Sequence, residues 1–338
     1  MNVTNEWVAS LPKAELHIHI DGSLQAQRML DLATKNDVQL PYSSIEEVEK
    51  AYEFEDLQSF LDLYYLGASV LRDVDDFYHL MMDYLIKCKE NNIVHTEIMI
   101  EPQTYLPNGI GFDVFMSGFK KAIAEAEQQW DMSVILILSL LKHTSEEECL
   151  AVLNQADAYR ESFHALGMAS TEIGNPPEKF KRLFQLGKEK GYKLQTHAGE
   201  EGSADIIWGS LHDMQVERID HGVRCTDDPK LVSYLKKHQI PLTVCPLSNI
   251  KLRVFDKIQD HNIIFLLKEG LLVTVNSDDP AYFGGYLNEN YMALIRSFNL
   301  DKKSLLKLVE NGFSASYLSN ERKHSYIEAL KALGDSEC

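Results

Sequence analysis

Eight short apolar runs, many rich in β-branched residues and most followed by a stretch suited to a helix, constrain this chain more than any other feature. They are AELHIHI (14–20), NIVHTEIMI (92–100), SVILILSLL (133–141), HALGMAS (164–170), YKLQTHA (192–198), ERIDHG (217–222), IPLTVCP (240–246) and GLLVTVNSD (270–278). Helical stretches fall between them at 112–130, 145–162, 176–191 and 228–239. Strand then helix, eight times over, predicts an α/β fold: a parallel sheet closing into a (β/α)8 TIM-type barrel. The 338 residues suit one such domain spanning 1–338, and a 45% hydrophobic content is enough for its core. There is no fixed-period repeat and no low-complexity tract.

One segment breaks the pattern. Residues 24–90 are too long for one crossover and hold helical patterns at 57–71 and 74–92. They are expected to form a helical insertion after the first strand. It either covers the C-terminal mouth of the barrel and excludes water, or thickens the outer shell.

Acidic side chains outnumber basic ones by 51 to 33, a formal charge of −18 that repels phosphate backbones and argues against a nucleic-acid substrate. Five scattered cysteines, Cys88, Cys149, Cys225, Cys245 and Cys338, form no CxxC pair and fit a reducing compartment. The opening MNVTNEWVASLPKAE lacks a basic segment followed by an apolar one, and no apolar run is long enough to span a membrane, so a soluble cytoplasmic protein is expected. The sequence carries no signature of oligomeric state.

Chemistry concentrates at the ends of the runs. In LHIHIDG, His17 and His19 stand two apart on a strand and share a face, which makes half of a metal site. Two buried, hydrogen-bonded histidines are the plainer alternative. His197 closes the fifth run in QTHAGEEG, with Glu200 three residues on. The acids alone would suit a helix start, but that does not explain the histidine. His221 ends the sixth run, and Asp278 and Asp279 end the eighth. Adjacent carboxylates repel unless a cation or donors stabilise them. All lie where a barrel places catalytic groups, the C-terminal strand ends. Three imidazoles and one carboxylate suit one divalent ion, Zn2+ and also Fe2+ or Mn2+.

Other histidines, among them His79, His164, His212, His238, His261 and His324, show no partner pattern and are expected to be surface or structural. His95-Thr96-Glu97 mimics one half of a cytidine-deaminase-type zinc motif, but the required PCxxC is missing. No GxGxxG, Walker loop or GxSxG occurs.

LPKAELHIHIDGSL, THAGE, DHG and SDDP, in that order and at these distances, resemble the adenosine/adenine deaminase family of metal-dependent hydrolases from about Leu11 to about Tyr291. ERIDHGVR, VCPLSNIKLRVF, SDDPAYFGGYLNENY and GNPPEKF (174–180) are similar to its adenine deaminase (adenine aminohydrolase) branch. That branch often has Glu-Gly after its HxH; Asp21-Gly22 here resembles the adenosine enzymes, in which the Asp helps hold the ribose.

The resemblance implies a purine substrate. It implies a metal held by His17, His19, His197 and Asp278. Glu200 would donate a proton to ring N1, His221 would accept one from the attacking water, and Asp279 would hydrogen-bond a ring nitrogen, with Asp21 a further substrate contact. The implied reaction converts adenine to hypoxanthine and ammonia in purine salvage. Deamination of adenosine or another adenine nucleoside, and hydrolysis of an amide or ester by the same metal architecture, are the competing expectations.

Overall fold

The computed structural model describes residues 3–335; Cys338, counted above, lies outside them. All eight runs are strands: β1 (Lys13–His19), β2 (Ile93–Ile100), β3 (Ser133–Leu141), β4 (Phe163–Ala169), β5 (Lys193–Ala198), β6 (Arg218–His221), β7 (Leu242–Val244) and β8 (Val273–Val275). Each pairs in parallel with the next, in sequence order. The ring closes where Ile18 bridges Asp278. The Asp278 N–H donates to the His17 carbonyl at 3.1 Å, and the His19 N–H donates to the Asp278 carbonyl at 3.0 Å. The expected (β/α)8 barrel is therefore the observed fold.

Parallel strands under a helical coat are covered on both faces, which is why the runs read as nearly continuous apolar stretches. β1 is buried along its whole length, and so is most of β2. The helices have one apolar stripe each. In helix Val74–Glu90 the buried Phe77, Leu80, Met81, Tyr84, Leu85 and Cys88 recur at helical spacing. Asp73 caps its start in a reciprocal pair with Asp76, and Lys87 and Lys89 sit in its last turn.

The 24–90 segment divides in two. Helix Val74–Glu90 packs on β2 and on helix Phe112–Trp130, so it is the crossover between the first two strands. Its apolar periodicity predicted the helix but not the face it would meet. Helix Leu57–Ala68, capped by Asp56 with Ser59, lies against the strand ends that carry the histidines. The 145–162 stretch also divides, into helix Glu146–Ala156 and a tighter 3-10 segment, Asp157–Ser162, which Tyr159 interrupts at φ −120°.

At the N-terminal end of β6 the fully buried Arg218 binds Glu97 at 2.5 Å, stacks on Tyr317 at 3.9 Å and donates to the Ala315 carbonyl at 2.8 Å. Burial alone would raise the Glu97 carboxyl, but Arg218 and His95 hold it at about 2. The four described cysteines are buried and free. No described helix is long and apolar enough to cross a membrane.

Candidate active site

The barrel brings its strand ends together, and with them His17, His19, His197, Glu200, His221, Asp278 and Asp279, all buried. The backbone turns sharply as it delivers two of them. His221 and Asp278 both lie at φ +64°, and Gly222 follows at +73°. Left-handed geometry at non-glycine residues is uncommon and is retained where surrounding contacts enforce it. At Asp278 those contacts are the two hydrogen bonds that close the barrel.

Three imidazoles are locked with their Nε2 atoms facing one another. His17 Nδ1 lies 3.2 Å from the Thr243 carbonyl and 3.0 Å from its hydroxyl. His197 Nδ1 lies 3.1 Å from the Met168 carbonyl, and His19 Nδ1 lies 2.8 Å from Glu101. Carbonyls and carboxylates only accept, so each Nδ1 carries a proton, and Nε2 is the nitrogen left to offer a lone pair to a cation. Asp278 Oδ1 sits 3.2 Å from His17 Nε2 and 3.3 Å from His19 Nε2, and His197 Nε2 is 3.2 Å from His19 Nε2. His17 Nε2 is buried without a hydrogen-bond partner. Lone pairs crowded around a carboxylate fit a divalent cation.

His221 belongs to the same cluster: ligand atoms of His17, His197, His221 and Asp278 lie within 4.8 Å of one another. Its locking differs. Its Nδ1 meets only the Asn249 amide, at 3.4 Å, and its Nε2 faces Glu200 at 3.4 Å and Asp278 at 3.7 Å. It is freer than the other three to change its protonation.

The carboxyl groups are driven in opposite directions. Burial, reinforced by repulsion from Asp278, raises Glu200 well above the usual carboxylate range. Asp279 is raised well above it by the same two causes. Burial would raise Asp278 too, but His17 and His19 hold it well below. Burial drives His221 far down, towards the neutral imidazole. Glu200 and Asp279 are thus pushed towards the protonated form, His221 towards the neutral imidazole and Asp278 towards the ionised carboxylate.

These groups open onto a cavity at the mouth of the barrel. His19, His197, Glu200, His221, Asp278 and Asp279 form its polar floor. Helix Leu57–Ala68 supplies Leu57, Phe60, Leu61, Tyr64 and Tyr65 to its walls, and the Tyr64 hydroxyl donates to Glu101 at 3.2 Å. Asp21, expected to contact substrate, is not among the lining residues. It is fully buried, its Oδ1 accepts from the Tyr105 hydroxyl at 2.7 Å, and its Oδ2 has no partner among the described residues. Burial pushes its carboxyl up to about 8.

Supporting residues escaped the sequence reading. Glu101 and Thr243 fix two of the imidazoles, and Asn249 reaches Glu200 at 3.3 Å. His261, expected to be surface or structural, is buried, and its Nε2 lies 3.1 Å from Asn249 Oδ1. Glu101 was within reach, since it directly follows β2 as Glu200 follows β5. Asn249 sits inside a short helix in the VCPLSNIKLRVF stretch, whose resemblance to the adenine branch did not single it out.

The adenosine deaminase family profile matches residues 12–333. The chain belongs to that family. Its members are metal-dependent hydrolases, consistent with the cluster of histidines and Asp278. The chain is 50% identical to an adenine deaminase of Wolinella succinogenes over 330 residues, covering 98% of this chain and 100% of the relative. It is 49% identical to an adenine deaminase of Crocosphaera subtropica, covering 95% and 99%. The crystal structure of an adenine deaminase from Arthrobacter aurescens superimposes with a TM-score of 0.94 at 41% identity, over 96% of this chain and 100% of that one.

Proposed function

We infer that this protein deaminates adenine hydrolytically, giving hypoxanthine and ammonia. Relatives bearing that activity in their names share half its residues over their full length. The observation that favours the free base over the nucleoside is the position of Asp21. The residue that resembles a ribose holder is bound by Tyr105 and does not line the cavity. A nucleoside in this cavity would not meet the Asp21 carboxylate at its surface.

We assign His17, His19, His197 and Asp278 to the ion, with zinc the expected metal for three imidazoles and a carboxylate. Such an ion would supply the Lewis acidity that makes water a nucleophile at neutral pH. The remaining steps fall to side chains. Glu200, kept protonated by burial and by Asp278, donates to ring N1, which weakens the aromatic ring and makes C6 electrophilic. His221, kept neutral by burial, accepts the proton of the attacking water. Asp279 carries a proton and can donate it in a hydrogen bond to a ring nitrogen, fixing the plane of the base. Together such acid–base groups contribute ~10²–10⁴-fold. Helix Leu57–Ala68 walls the cavity with apolar and aromatic groups that exclude bulk water. A free purine base as product supports a role in purine salvage, with the cytoplasm as the expected compartment.

The deciding experiment compares turnover of adenine and adenosine at equal concentration, with metal content measured on the same sample. Ammonia release from adenine well above that from adenosine is expected. The reverse order would make the nucleoside the substrate, and release from neither would point to a different amide or ester.

A further inference from the structure

The GNPPEKF stretch has no part in the chemistry above, yet it adjoins a buried carboxylate that does not touch the cavity. We propose that Glu172 is the positioning residue for Glu200, and that the segment from Thr171 to Lys179 is built to hold it in place. The proposal rests on the reading of Glu200 as the proton donor.

Glu172 lies in the loop after β4 and is 3% exposed. One of its oxygens accepts the Gly199 N–H at 2.7 Å; the other accepts those of Glu200 at 2.9 Å and Glu201 at 3.3 Å. One carboxylate thus gathers three consecutive peptide N–H groups of the loop that carries the acid. Hydrogen bonds to a charged acceptor are about twice as strong as neutral ones. The clasp is reciprocal: the Glu201 carboxylate accepts the Thr171 hydroxyl at 3.2 Å and the Glu172 N–H at 3.3 Å. A Cβ on Gly202 would stand 2.6 Å from Glu172 Oε2, so that position has no room for a larger residue while the clasp is closed.

The far side of the loop is braced as well. The Asn175 side-chain amide donates to the Thr171 and Ile173 carbonyls at 3.2 and 3.3 Å, and its N–H donates to the Glu172 carbonyl at 3.1 Å. Lys179 Nζ then joins Asn175 Oδ1 at 2.7 Å to the Lys142 carbonyl at 2.9 Å, anchoring the turn to the end of β3.

The side-chain contacts of Glu200 are long, 3.3 Å to Asn249 and 3.4 Å to His221. They cannot fix the carboxyl tightly, so its aim is set by the main chain, and Glu172 sets the main chain. Glu172 is absent from the cavity lining, so it acts through Glu200 and not on the substrate.

Glu172→Gln leaves one acceptor oxygen where two served three donors. Its kcat on adenine is expected to fall ~10–100-fold, the range seen when groups that orient an active site are lost. KM should stay within about threefold, with a full metal equivalent retained. Glu172→Asp should recover part of the loss. In a Glu200→Gln background, Glu172→Gln should cost less than about twofold more, because the group it aims is already gone. A full multiplicative loss in the double variant, or activity lost only in proportion to metal, would overturn the proposal. If Glu172→Gln does not accumulate as folded protein, Asn175→Ala loosens the same turn and is read in the same cycle. Near-native turnover by Glu200→Gln alone would instead remove the acid assignment, and the clasp with it.

Discussion

Gly22→Ala isolates the part played by Asp279. Gly22 lies in the 3-10 turn Asp21–Ser23, and its φ is one that any residue can adopt, so alanine brings no backbone strain of its own. What it brings is a methyl group placed 2.0 Å from Asp279 Oδ1, 2.5 Å from its Cγ and 2.6 Å from its Cα. A rotamer change could move the oxygen, but the Cα is backbone. Carbon contacts settle near 3.5–4.0 Å, so the Asp279 backbone must retreat by about 1 Å. Overpacking of this kind typically costs about 1–3 kcal/mol of stability, a loss a barrel of this size can bear. A displacement of about 1 Å in a reacting group can cost about 100-fold in rate. The expected variant is folded, keeps its metal, and turns over adenine about 100-fold more slowly. Thermal melting, metal analysis and steady-state kinetics on one preparation read all three. A kcat/KM within threefold of the parent at full metal content would refute the reasoning, since Asp279 cannot stay in place beside that methyl.

Three further outcomes follow from the same contacts. Glu200→Gln should lower kcat by ~10²–10⁴-fold while keeping its metal, and retention of near-native turnover would remove Glu200 as the proton donor. Glu101→Gln removes the charge that holds His19 Nδ1 and should weaken metal affinity ~10–100-fold, read by competition with a chelator; an unchanged affinity would separate Glu101 from the metal site. The Glu97 carboxyl is depressed to about 2 from 4.5, so it stabilises the fold fully above 4.5 and progressively less as the pH falls towards 2. That shift corresponds to about 3 kcal/mol. Denaturant melts should show a loss of this size across the interval, and Glu97→Gln should flatten it; an identical acid dependence would assign the loss elsewhere.

The eight strands were legible because each is an apolar run ending in turn-forming or functional residues, and a parallel barrel imposes that pattern on its own sequence. The candidate residues could be grouped for the same reason: His17, His19, His197 and His221 lie near the C-terminal ends of their strands, and Asp278 lies just beyond β8. Two things were not. The helical period of 74–90 showed an apolar face without saying that β2 and helix Phe112–Trp130 would cover it. Asp21 was read from its place beside the HxH motif. Its actual environment is set by Tyr105, 84 residues away, and no local pattern announces a hydroxyl at that distance.

The seam of the barrel and the proposed ligand cluster are the same place. His17 and His19 exchange backbone hydrogen bonds with Asp278 across most of the chain. The cluster cannot be assembled early, because its last carboxylate arrives only when the final strand docks against the first. A bound ion would then clasp both ends of the sheet and oppose its opening. Metal uptake during refolding would therefore report barrel completion, and chains truncated before β8 should fail to retain the ion whatever secondary structure they keep.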